Sequence, residues 1–237
     1  MSGHSKWHNI QARKGKQDAL RSGQFTKVSK LITIAAKSGS DSATNFSLRL
    51  AMEKAKEVGM PKDNVERAIK RGTGELAGDQ IEETLYEGYG PGGVAILIKC
   101  LTDNKNRTVS DIKHILSKHG GSMAGAGSVM WMFQQLGVIT LEKDKITNKD
   151  DFELQMIEAG AEDMVEDGEL EIRTKIDNLQ KVLAKIKEIA LEPKESSLQW
   201  IAKDTVPVNQ EVAEKLEKLF AEFEENDDVE NYFTNAQ

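Results

Sequence analysis

Near the front of the chain, Gly3-His4-Ser5-Lys6-Trp7 is followed by a stretch that holds Arg13, Lys14 and Lys16. These residue types at this spacing suit one chemistry. Spaced cations can follow a phosphate backbone, while Trp7 and the imidazoles of His4 and His8 can stack on unpaired bases. Single-stranded or folded RNA rewards that combination more than duplex DNA does. The plainer role for Trp7 is an anchor on the helices that follow, and the two roles are compatible. The basic series continues with Arg21, Lys27, Lys30 and Lys37. Residues 1–40 carry eight Lys and Arg against the single acid Asp18. Residues 41–79 balance at seven of each sign, and residues 80–237 carry 17 basic against 31 acidic side chains, so the overall charge of −7 conceals a basic head on an acidic body. Such asymmetry points to an anionic polymer as partner. The plainer alternative is a solvated basic face.

Elsewhere the sequence offers little chemistry. Gly88-Tyr89-Gly90-Pro91-Gly92-Gly93 has the glycines of a phosphate loop, but it lacks the Lys-Ser/Thr of a Walker motif and precedes a strand rather than a helix. A tight turn is the better reading. Residues 120–127, GGSMAGAG, read as a helix-to-strand connection, with backbone amides near a phosphate as the weaker option. His114 and His119 are five apart, the wrong interval for two ligands on one helix face. Cys100, the only cysteine, sits in an apolar run and reads as a buried small hydrophobe. It permits neither a disulfide framework nor a CxxC zinc site. No cofactor or metal site is expected, and no enzymatic activity. The outside alternative is a hydrolase working between domains, for which His114, His119 and Asp103 are the only candidates.

No apolar run reaches transmembrane length and the front lacks the apolar centre of a secretory signal. A basic organelle-targeting segment would be interrupted by Gly3, Gly15 and Asp18. A cytoplasmic monomer that avoids the membrane is the default expectation.

The elements that must position the basic head are legible in outline. Phe25, Val28, Leu31, Ile32 and Ala35 recur at helical spacing between Gly23 and Gly39. Lys27, Lys30 and Lys37 fall on a different arc of that helix, where Ile34 intrudes. A second helix follows the Thr44-Asn45 cap signal, with Phe46, Leu50, Ala51, Ala55 and Val58 as its apolar residues. A third starts at Pro61 and buries Val65, Ala68 and Ile69, and residues 71–79 read as a linker. After residue 80 the period changes. Val94 to Ile98 form the strongest strand, a helix carries Val109, Ile112, Ile115 and Leu116, and one or two strands lie within 128–142. A strand at 137–141, a helix at 149–159, a hairpin turning at Asp167-Gly168, a helix from 177 and a strand over 196–204 give the order βαββαβ, the split-βαβ ferredoxin-like pattern. A last acidic helix and the strand VENYFTN follow. The middle unit lacks one helix and one strand, which this final pair can supply.

Five stretches, GHSKW with RKGKQD, MPKDNVERAIKRGTGE, YEGYGPGGVAILIKCLTDNKNRTVSDIKHILSKHGG and GSVMWMF, closely resemble the YebC-like family. That family includes bacterial YebC proteins and the mitochondrial translational activator of cytochrome oxidase. The match is densest over 3–133 and looser over 137–206. The chain varies in detail at His8, Gln11 and Gly15 but keeps the basic character there. The resemblance implies an α+β protein: an N-terminal three-helix domain (1–79), then two ferredoxin-like α+β domains, one inserted (137–206) in the other (80–136 plus 207–237). It implies no enzymatic activity and no cofactor. Members are commonly labelled DNA-binding transcriptional regulators; a second reading makes them ribosome-associated factors that help translation through proline-rich stretches. The expectation is therefore a nucleic-acid-binding regulator gripping ribosomal RNA through His4, Lys6, Trp7, Arg13, Lys14, Lys16, Arg21, Lys27, Lys30 and Lys37. A DNA-binding regulator is the alternative.

Overall fold

The computed structural model describes residues 19–78, 80–146 and 148–237. The arm residues His4, Lys6, Trp7, Arg13, Lys14 and Lys16 lie outside them, as does the side chain of Arg21.

The chain is α+β: three helices, then two four-stranded antiparallel sheets with their own helices. Helix α1 (Ala19–Ala36) is the centre of the helical part. It buries Val28, Ile32, Ala35 and Ala36 along one side, and α2 (Phe46–Glu57) and α3 (Lys62–Gly72) both pack against it. Helix α1 begins before Gly23 instead of after it. A Cβ at Gly23 would lie 3.3 Å from Asp227 Oδ1, so the glycine lets the turn after the last helix come close. Asn45 joins two helices. Its Oδ1 accepts from Leu48 N at 3.1 Å, capping α2, while its Nδ2 donates to Ala35 O and Gly39 O, both at 2.7 Å, at the end of α1. That anchoring turns Leu48, not Leu50, into the core, and Phe46 reaches the core under the second sheet. Helix α3 runs past Arg71 to Gly72, where a Cβ would meet Thr33 O at 2.3 Å; glycine is what allows α1 and α3 to approach this closely.

The first sheet has the order β3-β1-β2-β8, with β1 (Glu82–Tyr89), β2 (Ala95–Thr102), β3 (Ser122–Met123) and β8 (Val229–Thr234). Strand β8 pairs with β2 from Ile96–Thr234 to Cys100–Val229 and supplies the strand that the middle region lacks. Helices α4 (Lys105–Lys118) and α7 (Gln210–Glu225) cover one face, packing on Ile96, Ile98 and Cys100. Ala95 and Leu97 point to the other face and meet Phe133, Ala202 and Phe233. Burial on both faces explains why β2 is an unbroken apolar run instead of an alternating one. The turn from β1 to β2 places Gly92 and Gly93 at φ +77° and +75°, as a tight turn requires.

The second sheet has the order β5-β6-β4-β7, with β4 (Phe133–Leu141), β5 (Ala161–Asp167), β6 (Glu169–Thr174) and β7 (Glu195–Ala202). Helices α5 (Lys149–Ala159) and α6 (Leu179–Glu188) share one core with it, built on Ile139, Ile172, Phe152, Val182 and Ile186. Strand β4 starts earlier than the apolar stretch 137–141 suggests, because Phe133 to Leu136 pair with β7 beyond the end of β6. Among the described residues no helix is long and apolar enough to cross a membrane.

Candidate nucleic-acid interface

The lysine arc of α1 faces the protein's own C-terminal region. Lys27 Nζ donates to Glu224 O at 2.7 Å, and Lys30 Nζ donates to Asp227 O at 2.9 Å and Asp228 Oδ1 at 2.5 Å. Lys37, at the other end of the stripe, donates to Ile81 O at 2.7 Å from an exposed position. The three lysines thus fasten the helical part to the first sheet. Burial pushes the Lys27 ammonium down to about 8, against the pull of Asp227 and Glu224.

Asp228 is the centre of this fastening. It is 4% exposed, and cations and hydroxyls from three other segments converge on it. Besides Lys30, Arg107 Nη2 donates to Oδ2 at 2.8 Å and the Thr108 hydroxyl lies 2.8 Å from the same oxygen, with Thr102 at 3.3 Å. Asn104 caps α4 and so sets Arg107 and Thr108 in its first turn, beside the carboxylate. Burial works to raise the Asp228 carboxyl, but the hydrogen bonds from Lys30, Arg107 and Thr108 outweigh it and hold the group below the ordinary aspartate range.

The end of the glycine-rich loop 120–127 and the residues just after it have amides engaged by a carboxylate. The Glu87 carboxylate, in β1, accepts from Gly127 N at 2.5 Å, Val129 N at 2.6 Å and Met130 N at 2.9 Å. An anion does sit on these amides, and it is the chain's own. The cradle fixes the segment that presents Trp131, which is 65% exposed with its indole N–H donated to Ser128 O at 3.0 Å.

The candidates for hydrolysis do not converge. Asp103 pairs with Arg107 at 2.8 Å, His114 is exposed on α4, and His119 Nε2 lies 2.9 Å from Glu222 Oε1 without the alignment of a hydrogen bond. Cys100 is buried in β2, and burial pushes its thiol up to about 12, so it behaves as a hydrophobe. Among the described residues no three His, Cys, Asp or Glu side chains come together as a metal site.

A cleft of about 430 Å³, which Lys30 also lines, lies between α1, α3 and the edge of the first sheet. Phe25 and Ser29 line it from α1, Arg67 and Arg71 from α3, and Asp103 from the sheet side. Arg67 and Arg71 are exposed, and no described acid pairs with either. The signal for them was present in the sequence: two arginines four apart lie on one face of a helix. In a segment with balanced charge, that pairing did not stand out.

Comparison with known proteins accounts for nearly the whole chain. Residues 5–75 match the TACO1/YebC protein N-terminal domain, and residues 81–236 match the TACO1/YebC second and third domain. A "probable transcriptional regulatory protein" of Maridesulfovibrio salexigens is 51% identical over 100% of this chain and 95% of its own length. A relative with the same description from Thermoanaerobacter pseudethanolicus is 48% identical over 100% of this chain and 97% of its own. The crystal structure of the conserved hypothetical protein Aq1575 from Aquifex aeolicus superposes with a TM-score of 0.84 at 37% identity, covering 95% of this chain and 93% of that one. The relatives from Maridesulfovibrio salexigens and Thermoanaerobacter pseudethanolicus carry the names of regulators, and the chain belongs to the TACO1/YebC family.

Proposed function

We propose that this protein is a non-enzymatic regulator of gene expression that binds RNA, ribosomal RNA foremost, through its basic N-terminal region and assists translation of proline-rich stretches. The observation that carries the reading is the division of charge: eight basic residues against one acid in 1–40, on a body with 31 acids against 17 bases in 80–237. Lys27, Lys30 and Lys37 already donate to the protein's own oxygens. The weight of the reading therefore falls on Lys6, Arg13, Lys14 and Lys16, with His4 and Trp7 as stacking groups. Such a protein acts by holding a slow substrate in place, which needs no catalytic constellation of its own. The proposal takes the chain as three units, a helical one (1–79) and two ferredoxin-like ones, the second (137–206) interrupting the first (80–136 plus 207–237).

A DNA-binding transcriptional regulator is the second reading. It is favoured by the names of the relatives and by one local feature: α2 and α3 are joined by only Val58 to Pro61, with Gly59 at φ +71°, the length of a helix-turn-helix connection. Against it, Arg67 and Arg71 of α3 line a cleft shared with α1 and the first sheet rather than an open helix face that could enter a duplex groove.

Ultraviolet crosslinking in cells, followed by sequencing of the attached nucleic acid, separates the two. Ribosomal RNA recovered with the native protein and lost with K6A/R13A/K14A/K16A is the expected result. Discrete DNA fragments would overturn it in favour of the regulator. Recovery of neither would end the polyanion reading altogether.

A further inference from the structure

The cleft between α1, α3 and the first sheet has features of a ligand site that the lysine arc lacks. Its volume of about 430 Å³ falls in the range of pockets that hold a small-molecule-sized group, too narrow for a duplex. Its charges are unevenly matched. Of its lining residues, Lys30 is neutralised by Asp228 at 2.5 Å and Asp103 by Arg107 at 2.8 Å. Arg67 and Arg71 remain, exposed and without a described acidic partner. They stand one helical turn apart on α3, with Cβ atoms about 5–6 Å from each other in ordinary helix geometry. Two forked guanidinium groups at that separation match two phosphate oxygens, or one phosphate and the face of a base. Half-buried Phe25, across the cleft on α1, supplies an aromatic wall. Phosphate-pairing cations beside an aromatic surface are the two components of single-strand recognition.

The cleft also lies next to the base of the arm. Phe25 is six residues from the start of α1 at Ala19, a distance of about 9 Å along a helix.

We infer that this cleft is a second contact for the nucleic acid, in which Arg67 and Arg71 bind consecutive phosphates of a single-stranded segment and Phe25 packs against a base. The inference rests on the nucleic-acid reading given above and extends it from the arm to the folded body.

The test uses the full chain and a fluorescent 12-nucleotide oligouridylate, with affinity measured across a salt series. R67Q/R71Q is expected to weaken binding at least tenfold at low salt. It should also lower the slope of log K against log salt by about 1.4, the loss of two phosphate contacts on a single strand. K54Q/K56Q, on the exposed part of α2, should leave both unchanged. Photocrosslinking of 4-thiouridine within the 12-mer to the native protein should label the peptide holding Phe25. Unchanged affinity and slope in R67Q/R71Q, or no label near Phe25, overturns the cleft assignment. If K6A/R13A/K14A/K16A still weakens binding in that case, the arm reading stands without the cleft; if it does not, both fall. Uridine monophosphate binding as tightly as the 12-mer would make the cleft a mononucleotide site and overturn the strand assignment.

Discussion

Asp228 and Glu87 are each 4% exposed, each flank the first sheet, and each remain anions, yet they are held in opposite ways. Asp228 meets charged and hydroxyl side chains from residues 120 to 198 positions away in sequence, on α1, α4 and the end of β2. Glu87 meets only backbone amides, all from one short loop about 40 residues downstream. A carboxylate held by cations ties distant segments together, and its removal leaves Lys30 largely buried without a counter-charge, while Arg107 keeps Asp103. A carboxylate held by amides shapes a single loop, and its removal leaves neutral donors, Val129 N among them buried, without an acceptor. One interaction sets how the parts are assembled, and the other sets a local surface.

The largest expected effect is at the first of these. D228A should cost about 3–5 kcal/mol in urea unfolding, the cost of breaking a buried ion pair from one side. It should also loosen α1, raising amide exchange in 19–36 more than in β4–β7. Equal exchange in both regions would mean that Asp228 does not tie the assembly. E87Q should cost less, about 1–3 kcal/mol, because it orphans amides but no charge. Its signature should be a change in Trp131 emission with no change in α1 exchange. If E87Q matches D228A in cost, the distinction between cation-held and amide-held carboxylates is broken.

The two should also diverge in acid. For Glu87, burial acts to raise the pKa but the amides of Val129, Gly127 and Met130 outweigh it, so both carboxyls titrate below their ordinary values in the folded state. The unfolded chain therefore takes up protons first. The stability these groups contribute is complete above their ordinary values of 4.5 and 3.8, and it is lost as pH falls through the folded ones. D228N and E87Q should each flatten the acid limb of the stability curve. Only D228N should do so while releasing α1.

The smallest effect sharpens the same contrast from the cation side. Lys27 titrates near 8 when folded and 10.5 when unfolded, so above pH 8 the unfolded chain holds more protons and stability rises with pH. Between pH 8 and 9 the gain should be about 1 kcal/mol in urea unfolding, and K27M should abolish it. Above pH 9 the gain is opposed by Cys100, whose thiol ionises near 9 unfolded and about 12 folded.

Much of this architecture is legible before the coordinates. The α5 bounds, the Asp167-Gly168 turn and the apolar residues of α6 follow from local periodicity and turn chemistry, because each is decided by residues near in sequence. The pairing of β8 with β2 comes only from counting elements, since nothing local in VENYFTN names its partner. The direction of the lysine arc was not legible. Lys27 and Lys30 look like a face for an external polyanion until the carbonyls and carboxylate at 224–228 are brought to them. The Glu87 cradle was hidden for the same reason: a glycine-rich loop looks the same in sequence whether its amides await a ligand or already hold a side chain. Leu48 was missed because the inward face of α2 is set by Asn45 reaching back to α1, not by the helix alone.

The pairing of β8 with β2 also constrains the order in which the protein can be made. While a ribosome is still extending the chain, β4 to β7 are all available and can close their own sheet. Strand β2 must wait with one edge open until Val229–Thr234 has been released, and Asp228 arrives only then to meet Lys30 and Arg107. Domains fold as units during synthesis, at about 5–20 residues per second. The emergence of 228–234 therefore closes the first sheet and brings Asp228 to the helical part in one step that follows β4 to β7. A premature stop before Asp228 would leave the earlier sheet free to fold, but Lys30 and Arg107 without their shared carboxylate.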